Sequence, residues 1–213
     1  MKNTIGDAEG VIKYQLEHRY LSLPIQMNIA ELNAWRHILY RLELVGQQPN
    51  KYDGLGFGNI SRRLVPGSGQ FLISGTQTGH LPELTRANYA LVEIASPEHN
   101  SIESTGLSAP SSEALTHALI YQHRPAVQAV IHVHSPVLWR HCQELGLAQT
   151  PAHIAYGTVA MTEAVKTLLN TAVNQPPVFA MLGHEDGMVA FGTTLAEAAL
   201  GLLAQLARAL AVE

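Results

Sequence analysis

Two histidines, His132 and His134, stand one residue apart in the apolar run Ala129-Val-Ile-His-Val-His. Such a run predicts a strand, and in a strand residues i and i+2 project from one face. Two imidazoles side by side can each give a ring nitrogen to a divalent ion, Zn²⁺ by default, at about 2.0–2.1 Å. A catalytic ion of this kind keeps about three protein ligands and an open position. His184 offers a third: it lies in Leu182-Gly-His-Glu-Asp-Gly-Met, a turn between two predicted strands, where a side chain is free to aim at a site. Glu113 follows Ser111 and Ser112 in the first turn of a predicted helix. The helix dipole favours a carboxylate there whatever its function, and the free N–H groups with two hydroxyls also suit a phosphate or carboxylate ligand.

These residues need a frame. Asn28 and Glu31 form an N-cap signature, and Leu32, Trp35, Ile38, Leu39 and Leu42 recur on one helical face, which predicts a helix over 28–45. Residues 53–59 are too rich in glycine for regular structure, while 69–75 and 89–94 are short apolar runs bounded by turn residues and predict strands. Pro110 to Glu113 open a helix that Arg124-Pro125 ends, and 126–134 follow as a strand. Helices near 136–145 and 160–171, a strand pair at 178–182 and 188–191, and a last helix opened by the capping box Thr194 to Glu197 complete the pattern. Strands and helices interleave without regular alternation, which predicts an α/β or α+β class with a helix-covered sheet. We expect residues 27–213 to form one domain and residues 1–26 an N-terminal extension, with a helix around 8–20 on the outside.

Composition narrows the function. With 213 residues and a formal net charge of −4, the chain lacks the concentrated basic face that nucleic acid requires. One cysteine, Cys142, cannot form an internal disulfide, and the first residues lack a signal-like apolar stretch, so a cytoplasmic address is expected. The apolar stretch 195–212 is interrupted by Glu197, Gln205 and Arg208, which predicts a buried amphipathic helix rather than a membrane span. The 11 histidines raise the prior for a metal only slightly, because most are isolated.

Taken in order, Gly58-Asn59-Ile60-Ser61, Ser74-Gly75-Thr76, Ser111-Ser112-Glu113, His132-Val133-His134 and the His184 to Gly187 turn resemble the motifs of the class II aldolase/adducin family. The 19 residues from Glu113 to His132 are a helix-plus-strand length that lets the carboxylate return beside the histidines. The resemblance spans roughly residues 28–205. It implies a three-layer α/β/α fold with a central antiparallel-rich sheet, and a homotetramer with sites at subunit boundaries. It further implies that His132, His134 and His184 hold Zn²⁺ or another divalent metal and that Glu113 is the general acid/base. Asn59, Ser74, Thr76, Ser111 and Ser112 would hold the phosphate of a small ketose-like substrate. The implied chemistry is a lyase reaction, in which the metal stabilises an enediolate left by C–C cleavage. Dehydration, decarboxylation or epimerisation share that intermediate, and a non-catalytic module is the further alternative.

Three positions depart from the family pattern. The late motif is usually His-Gly; in that register Asp186 rather than His184 occupies the histidine position, so the third ligand is one or the other. The aldolases place a tyrosine proton donor shortly before an aromatic-Gly-Thr tract, here Tyr156-Gly157-Thr158; this chain has His153 in the donor's slot, leaving His153 or Tyr156 to serve. The anion loop Thr76-Gln77-Thr78-Gly79-His80 also differs from the family's Thr-Gly-x-Pro.

Overall fold

The computed structural model describes residues 11–171 and 177–213. In chain order the elements are β1 (Gln15–Tyr20), α1 (Ala30–Arg41), β2 (Gly46–Gln47), β3 (Gly56–Phe57), β4 (Asn59–Arg63), β5 (Phe71–Ser74), β6 (Tyr89–Ser96) and β7 (Ser101–Gly106). They continue with α2 (Ala114–His123), β8 (Ala129–His134), α3 (Pro136–His141), β9 (Ala148–Thr150), α4 (Val159–Thr171), β10 (Val178–Met181), β11 (Gly187–Gly192) and α5 (Leu195–Leu210). Nine strands form one sheet in the order β1-β7-β6-β5-β4-β8-β11-β10-β9, antiparallel except for β1 on β7 and β9 on β10 at its two ends. The expected antiparallel-rich central sheet is therefore present.

Period-2 alternation sorts the side chains of β8 between two layers. Ile131 and Val133 pack with Leu32 and Leu39 of α1, Leu138 of α3 and Leu202 of α5. Val130 faces the other way, with Leu115 and Leu119 of α2 and Val165 of α4. Fully buried leucines such as these contribute about 1.5–3 kcal/mol each. His132 and His134 share the parity of Val130, so they point into the α2 layer, and both are buried.

The helix ends follow local chemistry. Asn28 Oδ1 accepts from the Ala30 N–H at 2.9 Å, so the expected N-cap signature acts one residue ahead of the helix proper. Thr194 caps α5 by accepting from the Glu197 N–H at 3.0 Å, while Glu197 reaches back past it to the Thr193 N–H at 2.7 Å.

One expectation fails. Residues 15–20 form β1, not a helix, and residues 8–10 lie outside the described residues. The reason is pairing: β1 runs in register with β7, from Gln15 opposite Ser101 to Tyr20 opposite Gly106. Its side chains are also claimed across the ladder, His18 Nδ1 by Ser104 Oγ at 2.8 Å and Arg19 by Glu93 at 2.6 Å. Backbone and side-chain bonds to a neighbouring strand outweigh a helical tendency of a few tenths of a kcal/mol per residue. Strands β3, β4, β7 and β9 were not expected either, because the glycine of β3, within the span read as irregular, and polar residues in the others mask any apolar run.

Candidate metal centre

β8 is flanked by β4 and β11, with His132 opposite both Asn59 and Val189 and His134 opposite Gly187. The turn from β10 to β11 carries His184 over the same end of β8. Ring centroids lie 5.1 Å apart for His132 and His134, 5.0 Å for His132 and His184, and 4.8 Å for His134 and His184. One nitrogen from each ring falls within 4.8 Å of the others, and all three residues are buried. His132 Nδ1 is 3.1 Å from the Met188 carbonyl oxygen. A carbonyl can only accept, so Nδ1 carries the proton and Nε2 is the nitrogen left to face a metal. Three converging neutral-capable imidazoles, one with its tautomer fixed from behind, fit a divalent ion.

The glutamate arrives at the same place. Glu113, 2 % exposed, precedes α2, with Oε1 3.7 Å from His184 Nδ1 and Oε2 accepting from Thr116 Oγ at 2.8 Å. Behind it the Tyr14 hydroxyl donates toward the Ser111 carbonyl at 2.9 Å. Burial, and then the charge of Glu113, raise the Tyr14 pKa above its ordinary value, so the phenol stays protonated.

The two open choices separate. Asp186, at φ 60°, turns its carboxylate to the Tyr52 hydroxyl at 2.6 Å, away from the histidine cluster, whereas His184 joins it. Tyr52 in turn sets its ring edge against His134 at 4.5 Å, with Phe57 beside both. Tyr156, 3 % exposed, stacks on His184 at 4.4 Å and 20°, while His153 is exposed. Gly183 is required for this approach, since a Cβ there would sit 1.8 Å from the Ile154 carbonyl oxygen.

Asn59, Thr76, Ser111 and Ser112 line one narrow pocket with Gln77 and the surrounding glycines, about 10 Å³ in volume, room for one water. Gln77 narrows it by accepting the Gly56 N–H on its side-chain oxygen at 2.9 Å. Asn59 Oδ1 is buried there with no hydrogen-bond partner among the described residues. Ser74 is not among the lining residues; its hydroxyl accepts from the Ile60 N–H at 3.1 Å, tying β5 to β4 beneath the loop. The loop is also held from below by buried Arg36, which donates to the Thr78 and Leu81 carbonyls at 2.8 and 2.6 Å.

Sequence reading did not single out His117, Thr116, Tyr52 or the Lys13-Tyr14 pair. His117, one turn beyond Glu113, is fully buried and pairs through Nδ1 with Ser61 Oγ, itself bonded to the Tyr121 hydroxyl, each at 2.7 Å. Burial lowers its pKa to about 3. Thr116 had a local signal, being three residues after Glu113 on the same helix. Lys13 and Tyr14 had none.

A family model, the class II aldolase and adducin N-terminal domain, matches residues 48–211. Over 79 residues the chain is 29 % identical to a probable L-ribulose-5-phosphate 4-epimerase, UlaF, of Mycoplasma pneumoniae. That stretch covers 37 % of this chain and 30 % of the epimerase, well under two thirds of its length. The fold is similar to that of YgbL, a putative aldolase/epimerase/decarboxylase from Klebsiella pneumoniae, with TM-score 0.61, 20 % identity and 84 % of each chain covered. It is also similar to an L-fuculose 1-phosphate aldolase, with TM-score 0.65, 15 % identity and 90 % and 86 % of the two chains covered. A second such aldolase, from Thermus thermophilus, gives TM-score 0.58 at 19 % identity over 86 % and 90 %. With the family model spanning most of its length, the chain belongs to the class II aldolase and adducin family.

Proposed function

We propose that this protein is a metal-dependent lyase of the aldehyde-lyase type, making or breaking a C–C bond in a small hydroxylated, phosphorylated ketose-like substrate. The carrying observation is the buried convergence of His132, His134 and His184 with the Glu113 carboxylate 3.7 Å from His184. His132, His134 and His184 would hold Zn²⁺ or another divalent ion, which supplies Lewis acidity toward a carbonyl and its neighbouring hydroxyl. Glu113 moves the proton on and off the carbon α to that carbonyl, and its bond from Thr116 fixes one oxygen while the other faces the cluster. Asn59, Thr76, Ser111 and Ser112 take the substrate's anionic end, for which the Gln77 side chain must withdraw. Ser74 supports that pocket from behind. The homotetramer implied by the family resemblance belongs to this reading. No helix among the described residues is long and apolar enough to cross a membrane.

Decarboxylation or epimerisation on the same centre is the second reading. The observation favouring it is that His153, in the slot of the aldolases' proton donor, is exposed, which leaves Tyr156 as the remaining candidate for that role. Incubation of the metal-loaded protein with ketose phosphates and four- to six-carbon hydroxy acids separates the readings. An aldehyde plus a three-carbon product supports cleavage, CO₂ release supports decarboxylation, and an intact rearranged chain supports epimerisation. Glu113→Gln should retain the metal and lose about 10²–10⁴ of the rate. A variant with full activity would remove Glu113 from the mechanism.

A further inference from the structure

Lys13 and Tyr14 precede the family-matched residues 48–211, yet both touch residues beside the centre. The segment is pinned from outside: Asn100 Nδ2 donates to the Lys13 carbonyl at 3.1 Å, and the Gln15 N–H to the Asn100 carbonyl at 2.8 Å, where β1 joins β7. From there the two side chains meet different neighbours of the cluster. Tyr14 is buried, with its hydroxyl on the carbonyl of Ser111, two residues before Glu113. The stem of Lys13 lies along Gly157, where a Cβ would come 3.1 Å from Lys13 Cδ. Its ammonium stands 3.9 Å from the centroid of the Tyr156 ring and donates to the Tyr156 carbonyl at 3.3 Å.

One face of that ring is already taken by His184 at 4.4 Å and 20°, so the ammonium occupies the other. The order is thus cation, phenol ring, imidazole. A cation over a ring is attracted by its quadrupole, and here it also blocks the direction in which Tyr156 could move off His184. Groups behind a metal-ligating histidine set its orientation and, through that, metal affinity.

We infer that Lys13 is a positioning residue of the metal centre, clamping Tyr156 onto His184, and that Tyr14 is the anchor that delivers it. This rests on the metal-centre reading above. The segment expected to be an outer extension would then complete the site from outside the family-matched region.

The test uses the full chain stripped of metal and titrated with Co²⁺, reading affinity by chelator competition and geometry by the visible spectrum. Lys13→Met keeps the stem and removes the charge. It should weaken Co²⁺ about tenfold, the lower end for outer-shell partners of a metal, and change the spectrum, while the metal-free unfolding midpoint stays within a few degrees. Lys13→Arg should restore both affinity and spectrum. Tyr14→Phe should weaken binding in the same direction, and the double variant should lose no more than Lys13→Met alone, as expected of two residues in one chain of contacts. Unchanged affinity and spectrum in Lys13→Met would overturn the inference, as would additive losses in the double variant. So would losses that track a fall in the unfolding midpoint and are not rescued by arginine. If the unaltered protein takes up no Co²⁺, it is the metal-centre reading itself that fails.

Discussion

Histidines are buried in two regions of this molecule, in different company. His132, His134 and His184 meet at the end of β8, their rings 4.8–5.1 Å apart, with a carboxylate and the rings of Tyr52, Phe57 and Tyr156 around them. His117 lies on α2, one turn from Glu113, and its Nδ1 pairs with the hydroxyl of Ser61, which also bonds Tyr121. Both regions are nearly free of solvent contact. The difference is convergence. Ser61, His117 and Tyr121 join β4 to α2 as a hydrogen-bonded tie within the protein, whereas the three histidines direct ring nitrogens to a common point. Burial of an imidazole therefore serves a tie within the protein in one place and a candidate site in the other.

The largest effect expected to sharpen this contrast is in metal content. His132→Ala should lower Zn²⁺ or Co²⁺ affinity more than about 100-fold, beyond what outer partners alone contribute. His117→Ala should keep the metal and instead lose about 2–4 kcal/mol of stability, because it leaves a cavity and two buried hydroxyls without their third partner. Metal analysis after dialysis, beside urea unfolding of the metal-free proteins, reads both. Equal metal loss in the two variants would erase the distinction.

Acidity offers the next effect. Burial holds the His117 imidazole neutral down to about 3, below its ordinary 6.5. The unfolded chain takes up a proton there from about pH 6.5 downward while the folded protein does not. The stability contributed by the neutral ring is thus complete above 6.5 and is lost as pH falls from there toward 3, by up to about 1.4 kcal/mol per unit. His117→Gln should flatten that part of the profile. Melting of metal-free protein between about pH 6 and pH 4 checks it, and parallel curves for the two proteins would contradict the assignment.

Much of the fold was legible where apolar residues run together or recur at helical spacing. The face of α1, the start of α2, the capped start of α5, and the runs giving β5, β6, β8, β10 and β11 all carry periodicity or end signals. β4 did not, because Ser61 and Arg63 are buried polar residues whose bonds to His117 and the Val127 carbonyl form only in the fold. The same holds for the site. His132 and His134 announce themselves by spacing, and Glu113 by its place at a helix start. Thr116 was readable three residues on. Tyr52, Lys13 and Tyr14 were not, since each acts across 80 or more residues of chain, Tyr52 on Asp186 and Lys13 on Tyr156. Tyr14 acts on Ser111 across a similar span.

The smallest effect concerns Asp186, which the family register would have made a ligand. Its φ of 60° places it at the left-handed corner of the turn, where its carboxylate accepts from Tyr52 rather than entering the histidine cluster. Tyr52 touches His134, so the Asp186 carboxylate bears on the histidine cluster through an edge-on ring 4.5 Å away. Asp186→Asn keeps an acceptor for the tyrosine and should therefore change metal affinity by less than about threefold and stability by less than about 1 kcal/mol. His184→Ala, in contrast, should match His132→Ala. If Asp186→Asn released the metal and His184→Ala did not, the turn would have to re-register so that the carboxylate replaces the imidazole.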